Sequence, residues 1–228
     1  MTTHVVTGAG SGIGRVVAER LRDRGDRLVL LARNGARADE LRPAFPDAMV
    51  LEADLARPGS LRGLGEAVVG PVDSLVHVAG VVELGPVADQ DLETWQLQLD
   101  VNLTAPAVLT RELLPHLRQA RGTVVFVNST AGITAHPDWG AYAASKFGLR
   151  GLADALRAEE APHGVRVTTV FPGRTATPMQ ELVHRQEGRA YDPSGFLLPE
   201  TVADAILQVV DLPRDAMLAE VVLRPGPS

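Results

Sequence analysis

The sequence contains no cysteine and only one lysine. Without cysteine, disulfides, thiol catalysis and thiolate metal sites are all excluded. The chain has 22 basic residues, and every one except Lys146 is an arginine. A lysine ammonium is a compact point charge, whereas a guanidinium is a planar fork, so the two are not interchangeable. The single position at which this chain uses an ammonium therefore becomes a candidate functional site.

The sequence also lacks an excess of positive charge and a long apolar run. Its net charge of −6 and pI near 5.5 argue against binding to nucleic acid or to an anionic membrane. No apolar run approaches the roughly 20 residues of a membrane span, and the first predicted strand begins by His4 or Val5. We therefore expect a cytoplasmic protein, folded as one domain over residues 1–228.

Lys146 follows Tyr142 by four residues in a segment, 141–160, that is rich in Ala, Leu and Arg. Such a composition predicts a helix, and residues four apart share one helical face. An ammonium beside a phenol favours the phenolate, so we expect a pKa for Tyr142 lowered toward neutrality, as suits a general acid or base. An ordinary surface pair is the alternative. The uniqueness of the lysine favours the catalytic interpretation.

A glycine-rich turn lies between a short apolar strand, H-V-V-T, and a helical pattern that runs to Gly25. Gly8, Gly12 and Gly14 in this turn give the pattern G-x-x-x-G-x-G. Strand, glycine turn and helix in this order are typical of a site where a pyrophosphate meets a helix N-terminus. A glycine-rich turn alone is often only a turn, but the flanking elements favour dinucleotide binding.

The end of the second predicted strand bears on which dinucleotide binds. An acidic residue about 20 positions after the glycines would hold the ribose hydroxyls of NAD. This chain has Ala32 there, followed by Arg33, whose guanidinium suits the 2′-phosphate of NADP. The alternative is a solvated surface arginine. We predict NADP as the cofactor, with NAD less favoured.

Further strands are predicted to end at Asp54, Gly80, Ser129 and Phe171, and a last strand at 217–224. They alternate with helices, which predicts an α/β doubly wound parallel sheet covered on both faces. One long helix is expected over 91–118, kinked where Pro106 deprives the carbonyl of Asn102 of its partner. Residues 174–198 are expected to form an irregular substrate loop.

With these pieces placed, the chain resembles the short-chain dehydrogenase/reductase family over almost its whole length. The resemblance rests on T-G-A-G-S-G-I-G at 7–14, A-D-L at 53–55, V-N at 101–102, N-S at 128–129, Y-A-A-S-K at 142–146 and P-G-x-x-x-T at 172–177. It implies a seven-stranded Rossmann-type sheet in the order 3-2-1-4-5-6-7. It also implies a homotetramer or homodimer formed through two long helices.

The same resemblance assigns residues to roles. It implies a catalytic tetrad of Asn102, Ser129, Tyr142 and Lys146. The cofactor would contact Gly8, Gly10, Ser11, Gly12, Ile13, Gly14, Arg33, Asp54, Leu55, Ala79, Gly80, Asn102, Tyr142, Lys146, Pro172, Gly173, Thr175 and Thr177. Ser129 and Tyr142 would also contact the substrate. His136 and Trp139 lie between these two residues in the sequence, where the substrate must enter, so we expect them to line its pocket; simple packing is the alternative. No metal site is expected, because no histidines show metal-ligand spacing.

Three departures from the family pattern are visible. Val78 replaces the asparagine that steadies the centre of the sheet, and we expect His77 to take over its interaction. Thr175 stands where an aliphatic residue usually covers the nicotinamide. Ser11 replaces the basic residue of some NADP-dependent members, which leaves Arg33 as the main phosphate ligand, with Arg15 as a second candidate.

These residues together predict an NADP(H)-dependent oxidoreductase that interconverts a small-molecule carbonyl and an alcohol. An NADP(H)-binding regulator with the same fold and little turnover is the alternative. Methyl transfer from S-adenosylmethionine is disfavoured, because it would need an acid at position 32. The sequence leaves open whether the substrate is a ketone, a steroid-like ring or an acyl chain.

Overall fold

A computed structural model describes residues 1–226 of the chain. Its seven strands form one parallel sheet in the order β3-β2-β1-β4-β5-β6-β7, which confirms the predicted fold. The strands are β1 (Thr3–Thr7), β2 (Arg27–Ala32), β3 (Met49–Glu52), β4 (Ser74–His77), β5 (Thr123–Val127), β6 (Arg166–Pro172) and β7 (Glu220–Leu223). Most are short, β-branched and buried, as expected for strands covered on both faces.

Helices cover both faces of the sheet. They are α1 (Gly12–Asp23), α2 (Gly35–Ala44), α3 (Leu92–Leu99), α4 (Ala105–Ala120), α5 (Gly140–Glu160), α6 (Pro178–Gln186) and α7 (Pro199–Asp211). One apolar cluster joins α1, α2 and α7 to the sheet, and a second joins α4 and α5 to the other face. In residues 1–226, no helix is both long and apolar enough to cross a membrane.

The strand order reverses at β1 and β4, which pair directly although they are not consecutive. In an open parallel sheet, the carboxyl ends of the strands on either side of such a reversal diverge and leave a crevice, where ligands bind. Here β1 leads into the glycine turn and β4 into Val78–Gly80, while β5 leads toward Ser129 on the same edge. The topology alone therefore gathers the predicted site residues at one edge.

The predicted long helix and its disturbance are both present. A π-helical segment, Asp100–Thr104, joins α3 to α4, and its closing bond runs from the Ala105 amide to the Asp100 carbonyl. Pro106 lies in the first turn of α4, where a missing amide costs little, while Pro115 lies inside the helix without ending it. The π segment places Asn102 on the inner side of the helix, and π-bulges of this kind are frequent at functional sites.

The expectation that residues 174–198 are irregular is wrong. They contain α6, whose N-cap Thr177 accepts a hydrogen bond from the Gln180 amide at 3.3 Å. Met179 and Val183 face the interior of the protein, four residues apart on an amphipathic helix. The polar residues between them made the segment resemble a loop in the sequence. A parallel bridge between Thr175 and Leu197 ties the two ends of the segment together.

A buried arginine at the start of β6 joins the sheet to the end of α7. Arg166, only 8% exposed, donates to the carbonyls of Leu212 and Pro213 at 2.6 and 3.1 Å, just beyond the end of α7. It also donates to Thr123 Oγ1 at 3.0 Å. These carbonyls belong to the helix end, where backbone acceptors lack helical partners. Arg166 thus fastens α7 to β5 and β6.

Candidate active site

Tyr142 and Lys146 lie on one buried face of α5, as the four-residue spacing predicts. Tyr142 is 6% exposed and Lys146 is 4% exposed. The Lys146 Nζ atom lies 5.7 Å from the centroid of the Tyr142 ring and donates a hydrogen bond to the Val127 carbonyl at 3.1 Å. The ammonium therefore connects the catalytic face of α5 to the carboxyl end of β5.

The expected lowering of the Tyr142 pKa is not found in the protein by itself. Burial raises the pKa of Tyr142 to about 12, although its hydrogen bond with Ser129 acts in the opposite direction. Burial also lowers the pKa of Lys146 to about 8. Removing the phenol from water disfavours the charged phenolate, and this effect outweighs the hydrogen bond from Ser129. Tyr142 is therefore a protonated phenol at neutral pH.

Ser129 lies two residues after the end of β5, and the intervening Asn128 fixes its position. The Asn128 Oδ1 atom accepts a hydrogen bond from the Ser129 amide at 2.8 Å, and its Nδ2 atom donates to the Lys146 carbonyl at 2.9 Å. Gly132 packs so closely on Asn128 Oδ1 that a β-carbon there would overlap it. Asn128 thus links the strand that carries Ser129 to the helix that carries Lys146. The N-S motif at 128–129 by itself predicts no role for Asn128.

Asn102 reaches the site from the π segment. Its Oδ1 atom accepts from the Val81 amide at 2.9 Å, and its Nδ2 atom donates to the Val81 carbonyl at 2.9 Å and to Ser145 Oγ at 3.0 Å. At Gly80, a β-carbon would lie 3.2 Å from Asn102 Oδ1 and 3.7 Å from Lys146 Nζ. The tetrad residues therefore lie together, and the Asn102 side chain clamps the chain after β4 against α5.

The glycine turn forms a cradle that side chains would fill. Gly8 has a φ of +75°, and a β-carbon there would lie 2.8 Å from the Ala79 amide nitrogen. Gly12 has a φ of +52°, and a β-carbon there would lie 3.1 Å from a Thr177 methyl group, while a β-carbon on Gly14 would overlap the Gly8 carbonyl. Ser11 begins α1 without a side-chain capping bond. The turn and the α1 amides therefore fit a pyrophosphate.

A second arginine lies beside this turn. Arg33 is exposed just after β2, and the Arg37 side chain covers Gly10, with Cδ and Nη1 both 3.1 Å from the position of a β-carbon there. Arg37 comes from the first turn of α2, which Asn34 caps. No sequence motif predicts this position for Arg37, because only the fold of α2 over the turn brings it there. Arg15 is engaged elsewhere, over the Phe45 ring at 5.0 Å.

Thr7, rather than His77, supports the backbone at the unusual Val78. The Thr7 Oγ1 atom accepts from the Val78 and Ala79 amides at 3.0 and 3.1 Å. His77 bonds Thr110 Oγ1 at 2.9 Å, on α4, and stacks on Phe126. Complete burial lowers the pKa of His77 to about 3, so the ring is neutral. The expectation that His77 replaces the family asparagine is therefore wrong.

One cavity of about 1040 Å³ joins the cradle to the tetrad. Most predicted site residues line it: Gly8, Ser11, Gly12, Ile13, Gly14, Ala79, Gly80, Ser129, His136, Trp139, Tyr142, Lys146, Pro172, Gly173, Thr175 and Thr177. Gly10, Arg33, Asp54, Leu55 and Asn102 lie outside its lining. Asp54 follows β3, where its carboxylate accepts from the Ala56 amide at 3.1 Å and from Arg57 at 3.0 Å.

The cavity has an apolar wall next to the tyrosine. Val82, Leu84, Trp139, Met179 and Val183 form this wall, and the Trp139 ring meets the Tyr142 ring edge-on with centroids 5.6 Å apart. Polar groups that no sequence motif marks complete the lining: Asp138, just before α5, and Arg174, Gln186, Glu187 and Arg189, from the segment 174–198, which is called the lid below. No motif marks these residues, which converge only through the fold of the segment around α6.

The fold and this arrangement define an α/β protein of the dinucleotide-binding class, with a buried Tyr–Lys pair beside a partly exposed serine at the carboxyl edge of the sheet. The sequence profile of the short chain dehydrogenase family matches residues 2–188. The chain belongs to the short-chain dehydrogenase/reductase family and is an oxidoreductase of that family.

Relatives and solved structures agree with this assignment. An uncharacterized oxidoreductase of Staphylococcus epidermidis is 30% identical, and the match covers 97% of this chain and 96% of that protein. A metagenomic short-chain oxidoreductase solved in complex with NADP superposes with a TM-score of 0.82 at 28% identity, covering 99% of this chain and 98% of that one. An alcohol dehydrogenase from Thermococcus sibiricus, 24% identical with a TM-score of 0.87 and coverage of 100% and 99%, shares the fold.

Proposed function

We propose that the protein interconverts a carbonyl and an alcohol with NADP(H), with Tyr142 as the general acid and base. The observation that carries this proposal is the position of Tyr142, buried beside Ser129 and Lys146 in the same cavity that the glycine cradle enters. A cofactor seated on the cradle and a substrate against the apolar wall would meet at this tyrosine. The nicotinamide, when bound, supplies or accepts the hydride.

The chain's own residues handle the proton and the developing charge. In the reduction, the Tyr142 hydroxyl donates its proton to the substrate carbonyl oxygen, and the Ser129 hydroxyl donates a hydrogen bond to that oxygen. The raised pKa of Tyr142 keeps this proton in place until it is needed. The ammonium of Lys146 then stabilises the phenolate that remains. For the reverse reaction, the same phenolate accepts the proton of the alcohol.

Two arginines support NADP over NAD. Ala32 offers no acceptor for ribose hydroxyls, Arg33 is exposed just after β2, and the Arg37 side chain from α2 lies against Gly10 of the turn. Guanidinium groups bind phosphate through charge-assisted hydrogen bonds. One acidic group lies near the start of α2: the Glu52 carboxylate is 3.4 Å from a β-carbon position on Gly35. The positive charge of the two arginines would exceed the negative charge of this carboxylate. The metagenomic relative with NADP is consistent with this choice.

A fluorescence titration with NADPH, followed by a panel of ketones, aldehydes and their alcohols, tests the proposal. We expect NADPH to bind more tightly than NADH, and we expect at least one carbonyl to be reduced at a rate that depends on enzyme concentration. Binding of NADPH without turnover of any member of a broad panel would instead favour a cofactor-binding regulator.

We also propose that α5 contributes to a homodimer or homotetramer. Its outer face presents Ala144, Phe147, Gly151 and Ala155, and Phe147 is 44% exposed. Small residues around one exposed ring allow two helices to approach closely, and large exposed apolar groups are costly in a monomer. Light scattering after gel filtration should show an oligomer that Phe147→Glu weakens, whereas a wild-type monomer would refute the proposal.

A further inference from the structure

An ion pair connects the lid to the end of the sheet inside the active-site cavity. Arg174 follows Gly173 just after β6, and Glu187 follows the last residue of α6. The Arg174 Nη2 atom donates to Glu187 Oε1 at 2.7 Å, and the two side chains are 35% and 14% exposed. Both residues line the cavity that contains Tyr142 and Ser129.

Each partner in this pair keeps one buried polar atom unused. Arg174 Nη1 and Glu187 Oε2 are both buried and have no hydrogen-bond partner among residues 1–226. The Nη1 atom of the mostly exposed Arg189 lies 4.0 Å from Oε2, beyond hydrogen-bond distance. A buried donor or acceptor without a partner costs free energy, so a ligand group that reached these two atoms would be stabilised by bonding to them.

The two free atoms are a donor and an acceptor on a pair whose charges already cancel. A hydroxyl group can accept from Arg174 Nη1 and donate to Glu187 Oε2, and a carboxamide can do the same with its two ends. A carboxylate would satisfy Arg174 but would face the negative Oε2 atom without a proton to donate. An ammonium would face the opposite conflict at Nη1.

We propose that Arg174 and Glu187 form a subsite that selects substrates bearing a neutral hydroxyl or carboxamide group away from the reacting carbonyl. This inference rests on the proposed function, since it places the far end of the substrate of the same site. A carboxamide is also present on the nicotinamide ring, so the test must separate a group on the substrate from one on the cofactor.

The test is a series of methyl ketones of matched length, in several lengths, whose far ends carry methyl, hydroxyl, carboxamide or carboxylate groups. In the wild-type enzyme we expect the hydroxyl- and carboxamide-ended ketones to have KM values about tenfold below that of the methyl-ended ketone, as one charge-assisted hydrogen bond provides. The KM value of the carboxylate-ended ketone should not fall below that of the methyl-ended ketone. Equal KM values across the ends at every length would overturn the inference.

The substitution Glu187→Gln gives the sharpest test. The amide oxygen can still accept from Arg174 Nη2, and the amide NH2 group, a donor, replaces the unpartnered acceptor Oε2. The preference should then shift from the hydroxyl-ended ketone to the carboxylate-ended one. Glu181→Gln is the matched control on α6, since Glu181 is exposed, pairs with Arg185 and does not line the cavity. An unchanged ranking in folded Glu187→Gln protein contradicts the inference.

Two further readouts separate this inference from the alternatives. A change in the NADPH dissociation constant with no change in the ketone ranking would assign the pair to the cofactor and overturn the substrate subsite. If no ketone were turned over, the proposed function would fail. Calorimetric titration of the same compounds into the NADPH complex would still test the subsite, with tighter binding of the hydroxyl-ended compound expected and equal binding contradicting it.

Discussion

The side-chain amide of Asn128 donates to the backbone carbonyl of Lys146 at 2.9 Å. Because Asn128 also accepts from the Ser129 amide, one side chain sets the distance between the strand that carries the serine and the helix that carries the lysine and tyrosine. Ser129 and Tyr142 are proposed to act on the same substrate oxygen. Asn128, which joins the segments that carry them, neither donates a proton to that oxygen nor hydrogen-bonds it. The geometry of the site therefore depends on a buried amide.

Replacing this amide should damage catalysis more than stability. We expect Asn128→Ala to lower kcat at least about tenfold and to destabilise the fold by about 1–3 kcal/mol, because a buried amide and a carbonyl lose their partners. Asp91→Ala is the control: it removes the exposed N-cap of α3, which accepts from the Thr94 amide at 2.8 Å. That variant should lose about 1 kcal/mol of stability without losing kcat. Equal kcat values in both variants would refute the positioning role of Asn128.

Burial of Lys146 predicts a pH dependence of stability. Because the pKa of Lys146 is lowered to about 8 in the folded protein, the unfolded chain binds more protons between that pH and its ordinary value of 10.5. The free energy of unfolding therefore contains a contribution that rises with pH across this window, on the order of 3 kcal/mol in total.

Lys146→Met removes this contribution. We expect the variant to gain stability relative to the wild type at neutral pH and to lose that advantage as the pH rises from about 8 to about 10. Urea unfolding at several pH values measures the difference between the two proteins. A difference that stays constant across the window would show that the lysine is not desolvated.

Arg33 and Arg37 should discriminate between the two nicotinamide cofactors. Each single change to alanine should raise the dissociation constant for NADPH by about tenfold or more, since a charge-assisted phosphate contact is lost, and should leave that for NADH nearly unchanged. Arg42→Ala is a suitable control, because Arg42 is exposed on α2 and pairs with Asp39. Parallel losses for both cofactors would indicate a general electrostatic effect instead of a 2′-phosphate site.

Arg166 should contribute to stability and not to the chemistry. Its replacement by methionine keeps the apolar part of the side chain but leaves the carbonyls after α7 without hydrogen-bond donors. We therefore expect a loss of about 3 kcal/mol in the free energy of unfolding. Arg62→Met, at an exposed position, should change stability by less than about 0.5 kcal/mol. Urea unfolding curves of the three proteins test this, and a wild-type midpoint for Arg166→Met would contradict it.

The features that could be predicted from sequence are those with local signatures. The glycines, the alternation of strands and helices, and the four-residue spacing of Tyr142 and Lys146 all reflect short-range geometry. The structure confirms the sheet order, and it places the predicted tetrad together. The disturbance near Asn102 was also predictable, because Pro106 removes a defined backbone amide.

What could not be predicted depends on burial or on distant contacts. The pKa of Tyr142 is set by desolvation, which no spacing reveals. Arg37 reaches the glycine turn only because α2 folds over it. The helix α6 did carry a signal, a threonine cap followed by proline, but its exposed polar residues hid the apolar face. The pairing of Arg174 with Glu187 joins two segments that only the folded lid brings together.

The central claim is that the phenol of Tyr142 transfers the proton. Its most direct test is Tyr142→Phe, which removes one oxygen from a ring that stays buried against Trp139. We expect this variant to bind NADPH with the wild-type dissociation constant and to lose at least about 1,000-fold in kcat with any carbonyl that the wild type reduces. A variant that binds NADPH normally and keeps most of the wild-type kcat would contradict the account.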